Sequence, residues 1–205
     1  MTETEKMLAG KLYDPSDEEL TTRRVRAHNL SKDYNDTYEQ ESEKRERILN
    51  ELLPNRGSNT YLQGPVQFDY GVYTTVGDNC FFNFNFTVLD CCPVTIGNDV
   101  FIGPNGSLMT PLHPMLPAER NLRQREDGTW YDLEYAAPIV IENGCWLASN
   151  VTVCGGVTIG AGTVIGAGSV VTRDIPAGVF AAGNPCRVIR PLTEADSTKY
   201  KSHLW

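Results

Sequence analysis

An apolar residue returns at every sixth position through most of the second half of the chain. The segments IVIENG, CWLASN, VTVCGG, VTIGAG, TVIGAG and SVVTRD follow one another without a gap from residue 139 to residue 174. A period of six is neither the 3.6 of a helix nor the 2 of an ordinary strand, and short repeats of this length are typical of a parallel β-helix. The third residue of each segment is therefore expected to fill the core: Ile141, Leu147, Val153, Ile159, Ile165 and Val171.

The geometry of the coil follows from this repeat. Each set of six residues forms one flat face, and three faces close a coil of about 18 residues. Glycines such as Gly160 and Gly166 are expected at the corners, where the backbone is left-handed or crowded. The sequence therefore predicts a mostly β protein. Two earlier series have the same period, separated by a frame shift of two residues near LDCCP: Tyr70, Val76, Phe82 and Val88, then Ile96, Ile102 and Leu108.

The repeat fails between residues 109 and 138. Leu108 and Ile141 are 33 residues apart, which is not a multiple of six, so residues 109–138 are expected to leave the coil as a long excursion loop. Loops of this length are usually functional or disordered, and aromatic residues such as Trp130 favour function. His113 stands at the start of this loop. Because imidazole titrates near neutral pH and suits proton transfer from a hydroxyl, His113 is the candidate catalytic base.

The chain divides into three parts. SDEE at residues 16 to 19 is a capping-box helix start, and ESEKRERILNELLP is typical of a second helix that ends before Pro54. Residues 1–57 are therefore expected to form a helical cap over the open strand edge of the first coil. Residues 58–190 would form the β-helix with its excursion loop, and residues 191–205 a polar tail.

Composition and charge exclude several partners. The chain has 18 Lys and Arg against 26 Asp and Glu, a net charge of −8, which argues against nucleic-acid binding. No run approaches 18 apolar residues, so no membrane partner is expected, and the polar start MTETEKML has no signal-peptide core. The expected location is the cytoplasm. The six cysteines form no C-x-x-C pair and are expected to be buried and reduced.

Several other residues leave alternatives open. Asn83, in FFNFNF, is either a turn residue of the solenoid or an amide that faces a substrate. Trp146 lies outside the aliphatic position of its segment and should point outward, against the excursion loop or against a ligand. His28 and His203 are assigned no role. One scaffold histidine does not meet the usual three-ligand requirement, so no metal is expected.

An ordered set of motifs resembles the maltose and galactoside O-acetyltransferase family. These motifs are HPMLPAER after the start of the excursion, LEYAAPIVI on its return, and VVTRDIPAGVFAAGNPCRVIR at the end of the β-helix. EKMLAGKLYDPSDEEL resembles the amino-terminal segment of the same group, so the similarity spans about residues 5 to 190. It implies a left-handed β-helix assembled as a homotrimer with active sites between subunits. The implied reaction moves acetyl from acetyl-CoA to a hydroxyl of a sugar such as maltose, glucose or a galactoside.

The resemblance also implies residue roles. His113 would be the general base, with direct attack of the hydroxyl on the thioester, backbone amides at the oxyanion and no covalent enzyme intermediate. Glu134 would orient His113. The implied acceptor-side residues are Asn83, Asp69, Asp14, Asp17, Trp130 and Glu134. The implied coenzyme-side residues, with the arginines toward phosphates, are Trp146, Ser149, Ala167, Thr172, Arg173 and Arg187.

Three departures from the family concern the acceptor. At the amino-terminal acceptor position the chain has Asp14 and Pro15, with Asp17 close by, and the role is assigned to neither aspartate in particular. The segment NLRQREDGTWYD lengthens the excursion, and Cys91 stands where some members use an acidic residue; neither Cys91 nor Cys92 has an assigned role. One alternative function is an acetyltransferase for a xenobiotic or an amino sugar, against which the helical amino-terminal segment argues. The other is a non-catalytic solenoid scaffold, against which the outward tryptophan and the basic pair near the end argue.

Overall fold

The computed structural model describes residues 1–204, and its centre is a prism with three parallel sheets as faces. The first face contains β1 (Tyr61–Leu62), β4 (Phe81–Phe82), β7 (Phe101–Ile102), β14 (Trp146–Leu147), β17 (Val164–Ile165) and β19 (Val179–Ala182), with β20 (Arg187–Pro191) antiparallel at its edge. The second contains β2 (Val66–Phe68), β5 (Phe86–Leu89), β8 (Ser107–Met109), β15 (Thr152–Cys154) and β18 (Val170–Val171). The third contains β3 (Thr74–Val76), β6 (Val94–Ile96), β13 (Ile139–Ile141) and β16 (Thr158–Ile159). The predicted parallel β-helix is confirmed.

The inward residues of the three faces form one apolar core. Every third-position residue from Ile141 to Val171 is at most 1% exposed. Their spacing brings each of them to the same place on successive coils, since Leu147 pairs with Ile165 and Val153 with Val171. The period-six pattern therefore identified one core residue on each face of these coils; Cys145, Val151 and Val157, the first residues of their segments, belong to the same core.

Both coils before the excursion are longer than the regular coil, although the frame shift near LDCCP indicated this only for the second one. Tyr61 pairs with Phe81 and Phe81 with Phe101, so each of these coils has 20 residues and not 18. The two additional residues lie where the second face turns into the third. For this reason Tyr70 does not point into the prism as its place in the series predicted, and Phe68 fills that level of the core instead.

Polar side chains line the corners as ladders. Where the first face turns into the second, Asn85, Asn105 and Asn150 have φ angles of 59°, 60° and 59°. Asn85 donates to Asn105 at 2.9 Å, and Asn105 donates to Asn150 at 2.9 Å. Asparagine tolerates this left-handed backbone better than most residues, so it fixes the turn and links adjacent coils.

Helices cover the open end of the first coil. These are α2 (Glu18–Asn35) and α3 (Ser42–Leu52), whereas α1 (Glu3–Leu8) packs against α2 and against β12 (Tyr135–Ala136) of the excursion. The Asn35 amide donates to the Val66 carbonyl at 2.8 Å and accepts from the Val66 N–H at 2.7 Å. The Leu62 carbonyl accepts from Arg45 at 2.6 Å and from the Tyr34 hydroxyl at 2.5 Å. These side chains satisfy backbone groups that an uncovered edge strand would leave open.

The excursion leaves after β8 and returns before β13 as one long hairpin with two short ladders, the second inside the first. It contains β9 (Pro111–Leu112), α4 (Pro117–Arg120), β10 (Arg123–Gln124), β11 (Trp130–Tyr131) and β12 (Tyr135–Ala136). The strands pair antiparallel, β9 with β12 and β10 with β11. After β20, residues 194–204 form three short 3₁₀ helices, and the predicted tail ends in residue 205, outside the described residues. Within residues 1–204, no helix has the length and hydropathy of a membrane span.

The corner ladder gives a testable stability difference. Asn105→Ala removes both ladder hydrogen bonds and places a side chain without local hydrogen bonds at φ 60°, so the free energy of unfolding should fall by about 1 to 2 kcal/mol. Asn105→Gly removes the same hydrogen bonds, but glycine adopts this backbone angle without strain, so the free energy of unfolding should fall by less than in Asn105→Ala. Urea unfolding of both variants measures the difference; an alanine variant as stable as the glycine variant would contradict it.

Candidate active site

A polar cavity of about 470 Å³ opens where the second face turns into the third. Four parts of the chain contribute to it: the amino-terminal segment, α2, the widened corners and the excursion. The lining residues are Tyr13, Pro15, Ser16, Arg24, His28, Asp69, Leu89, Cys91, Pro111, His113, Asp132 and Glu134. The predicted residues His113, Asp69 and Glu134 are thus brought together.

The cavity arises because three successive coils depart from the repeat at this corner. The first coil widens at residues 69–73, the second at residues 89–93, and the third opens into the excursion. Asp90, fully buried, ties the first two together, because its carboxylate accepts from the Tyr70 N–H at 2.8 Å and from the Thr74 hydroxyl at 2.9 Å. Burial raises the pKa of Asp90. The two widened corners that border the cavity are therefore joined by hydrogen bonds.

Strand pairing at the base of the excursion places His113 beside Glu134. Leu112 pairs with Tyr135 in the antiparallel ladder of β9 and β12, so the next pair of positions outward is His113 and Glu134. Nδ1 of His113 lies 4.0 Å from Oε1 of Glu134, a distance of an ion pair rather than of a hydrogen bond. The imidazole is half exposed (50%), whereas the Glu134 side chain is only 18% exposed. An imidazole open to the cavity thus lies beside a shielded carboxylate.

A second carboxylate faces the cavity from the first widened corner. Asp69 is 18% exposed, and its Oδ1 lies 3.2 Å from Nε2 of His28 on α2. The thiol of Cys91 donates to Oδ2 of Asp69 at 3.7 Å. Burial raises the pKa of Cys91, so the thiol remains neutral. It is a hydrogen-bond donor on the wall of the cavity rather than a thiolate nucleophile.

The two amino-terminal aspartates have structural contacts of their own. Asp14 is 9% exposed, accepts from the Ser16 N–H at 2.9 Å and forms an ion pair with Arg125 of the excursion at 2.6 Å. Asp17 is the N-cap of α2, accepts from the Glu19 N–H at 3.1 Å, and borders a separate groove between α1 and α2. Neither side chain lines the cavity of His113. Trp130, 60% exposed on β11, also lies outside that lining.

Most of the predicted coenzyme-side residues lie on another part of the prism. Trp146 points outward from the first face, as predicted, and is 53% exposed. Ser149 and Ala167 follow at the corner where the first face turns into the second, and Arg187 lies on the adjacent β20. Asn83 occupies the same corner two coils earlier, where its Oδ1 accepts from the next N–H at 2.8 Å. This edge is not the edge that carries His113.

Thr172 and Arg173, the two remaining predicted coenzyme-side residues, lie on the edge of the prism that carries His113. They follow β18 at the corner where the second face turns into the third, which is the edge of the excursion and of His113. The predicted site residues therefore separate into two edges of one chain.

One grouping was not anticipated. One imidazole nitrogen of His113 and one carboxylate oxygen each of Asp132 and Glu134, atoms that can bind a metal ion, lie within 4.8 Å of one another. The excursion thus supplies, beside the single scaffold histidine, two carboxylates that the three-ligand argument from sequence did not include.

The matches to known proteins follow the same division of the chain. A family model described as the maltose acetyltransferase hexapeptide capping motif matches residues 6–57, and the bacterial transferase hexapeptide model, with six repeats, matches residues 138–173. The galactoside O-acetyltransferase of Escherichia coli (strain K12) is 41% identical over 200 residues, covering 98% of this chain and 94% of the relative. The chain belongs to the maltose and galactoside O-acetyltransferase family.

Solved structures agree with this assignment. A maltose O-acetyltransferase from Clostridium difficile 630 is 41% identical with a TM-score of 0.84, covering 95% of this chain and 99% of that one. A galactoside acetyltransferase in complex with coenzyme A is 40% identical with a TM-score of 0.85, covering 96% and 94%. The left-handed β-helix expected from the resemblance is confirmed by these relatives, and membership makes the chain an O-acetyltransferase.

Sequence reasoning assigned no role to most residues that line the cavity of this O-acetyltransferase, including four with polar or charged side chains. Tyr13, Arg24, His28 and Asp132 all line it, although His28 was assigned no role. One signal was present: Arg24 and His28 are four residues apart and therefore share a face of α2. What the sequence lacked was the place where that face packs, since the Arg24 guanidinium donates to the Pro15 carbonyl at 3.2 Å and holds the amino-terminal segment over the corner.

The ion pair between Asp14 and Arg125 should anchor the excursion of this O-acetyltransferase. Asp14→Asn and Arg125→Ala each break a contact whose acidic partner is shielded, so the hairpin of residues 117–131 should open about tenfold more often. Limited proteolysis should show the same faster cleavage there in both variants. If only the aspartate variant changes, Asp14 acts in some other way, and the anchoring role is wrong.

Proposed function

We propose that this enzyme transfers acetyl from acetyl-CoA to a hydroxyl of a sugar, of the maltose, glucose or galactoside type. The observation that carries the proposal is the half-exposed imidazole of His113 in a polar cavity, with Glu134 beside it, in a chain of this family. A cavity lined by carboxylates, an arginine and imidazoles suits an acceptor with several hydroxyls, because each hydroxyl both donates and accepts hydrogen bonds. Relatives named for galactoside and maltose support this acceptor class.

His113 would act as the general base. Its Nε2 takes the proton of the acceptor hydroxyl while the hydroxyl oxygen bonds to the thioester carbonyl carbon. The carbon–sulfur bond then breaks, and the imidazolium returns the proton to the sulfur of the leaving coenzyme. Backbone amides would stabilise the oxyanion between these steps. Glu134 would favour the tautomer with the proton on Nδ1 and stabilise the imidazolium.

Direct transfer needs no enzyme nucleophile. The cavity contains one thiol, that of Cys91, and burial keeps its pKa raised, so it is a poor nucleophile. The proposed acceptor-side group contains Asp69, with His28 as its partner at 3.2 Å, and Asn83 from a neighbouring chain.

The coenzyme would bind between two chains of a homotrimer. Asn83, Trp146, Ser149 and Ala167 lie along one edge of the prism, and His113, Thr172 and Arg173 along another. One chain cannot bring both edges to one thioester, whereas a cyclic trimer places unlike edges of neighbours together at every interface. Trp146 would contact the coenzyme, and Arg173 and Arg187 would pair with its phosphates.

Acceptor assays test the reaction and the base together. With acetyl-CoA, free thiol should be released with maltose, glucose or a galactoside, and His113→Ala should lower kcat/KM about 100- to 10,000-fold while coenzyme binding persists. His203→Ala, which removes an exposed histidine of the tail, is the matched control and should leave the rate unchanged. Transfer confined to amino sugars or to chloramphenicol would favour the alternative acceptor class. A fully active His113→Ala enzyme would contradict the mechanism.

Subunit mixing tests the shared site. His113→Ala and Asn83→Ala enzymes should each be weak alone, yet mixed trimers should regain about a quarter of the parental sites, because some interfaces combine an intact histidine edge with an intact asparagine edge. His113→Ala mixed with Glu134→Ala is the control, since both residues come from one edge and no interface regains both. Equal recovery in the two mixtures, or none in the first, would contradict a site between chains.

A further inference from the structure

Glu134 lines the cavity and lies between two neighbouring segments of the chain, the one that contains His113 and the one that contains Tyr13. On one side is the ladder that places it beside His113. On the other side is Tyr13, which forms an isolated antiparallel bridge with Glu134: the Tyr13 N–H donates to the Glu134 carbonyl at 2.9 Å, and the Glu134 N–H donates to the Tyr13 carbonyl at 3.1 Å. Tyr13, Glu134 and His113 therefore form a row across three adjacent segments.

The side chains connect along the same row. The Tyr13 hydroxyl donates to Oε2 of Glu134 at 2.9 Å, and the other carboxylate oxygen, Oε1, lies 4.0 Å from Nδ1 of His113. Each oxygen of one carboxylate thus faces a different partner. Fixing Oε2 fixes the rotation of the carboxylate, and with it the place of Oε1.

Tyr13 is itself held in one position. The residue is 1% exposed and belongs to an apolar cluster under the amino-terminal segment with Met7, Leu20 and Tyr70. Burial, followed by the nearby Cys91 and the Glu134 carboxylate, raises the pKa of Tyr13, so the hydroxyl keeps its proton and stays a donor. A buried ring with two backbone hydrogen bonds beside it is a firmer support than a side chain on a loop.

We propose that Tyr13 is a positioning residue of the transfer reaction, which acts through Glu134 on His113. Its hydroxyl holds the Glu134 carboxylate so that Oε1 faces the imidazole. Without this hydrogen bond the carboxylate would rotate more freely and would orient His113 less well. The inference rests on the proposed function, since it requires His113 to be the base. It also assigns the amino-terminal segment a direct part in the site rather than a covering role alone.

The competing explanation is that the hydroxyl only satisfies a buried polar group. In that case removing it would lower stability, and its effect on rate would be independent of Glu134. A double-mutant cycle separates the two explanations, because residues that act through one another give non-additive effects.

The experiment compares Tyr13→Phe, Glu134→Gln and the double variant. Tyr13→Phe removes one oxygen and keeps the ring and the backbone bridge, so kcat should fall about tenfold with the KM for acetyl-CoA unchanged. In the Glu134→Gln enzyme the carboxylate is already lost, so adding Tyr13→Phe should change kcat little. Assays run well below the thermal midpoint of each variant, measured by circular dichroism, keep folding out of the comparison.

Tyr70→Phe is the matched control. It removes an equally buried hydroxyl of the same cluster, 3% exposed, whose oxygen accepts from Arg24 at 3.3 Å and does not contact Glu134. Its effect on kcat should be the same with and without Glu134→Gln. A Tyr13→Phe enzyme with parental kcat, or with an effect that adds to that of Glu134→Gln, would overturn the positioning role. Parental rates in His113→Ala would instead overturn the proposed function, so the two failures are distinct.

Discussion

Closure of the prism is the constraint on which the rest of the structure depends. Each coil must return its inward side chain to a position above the previous one, so that strands pair and the apolar core stays filled. An additional residue within a face would turn every following side chain to the wrong side. Additional length therefore goes into corners, and here it goes into the same corner of three consecutive coils. The cavity is the result of that accumulation.

The sequence predicted the parts of the fold that follow from a repeat. The series from Ile141 to Val171 identified core positions because one residue in six has a single environment. The position of the excursion and the candidacy of His113 came from the failure of that repeat. Tyr70 was misplaced because the apolar series was begun at this residue, so the two additional residues between Phe68 and Val76 left no visible break in the period.

The candidate site was less accessible to sequence reasoning for a physical reason. The positions of His28 and Tyr13 depend on where α2 and the amino-terminal segment pack, which is tertiary information without a local pattern. Asp14 and Asp17 show the converse. Their positions in the sequence do not show that Asp14 forms an ion pair with Arg125 or that Asp17 accepts from the Glu19 N–H, because both contacts depend on how the chain packs.

The corner insertion has an evolutionary consequence. Residues 109–138 begin and end at one corner, with their own short strands, and the faces continue across the gap with β6 pairing directly to β13 and β8 to β15. Changes in the length or composition of this segment leave the stacking of coils intact, because surface loops tolerate insertion at modest entropic cost. The lining of the cavity in such a scaffold can thus diverge between lineages while the stacking of its coils and its folding are inherited unchanged.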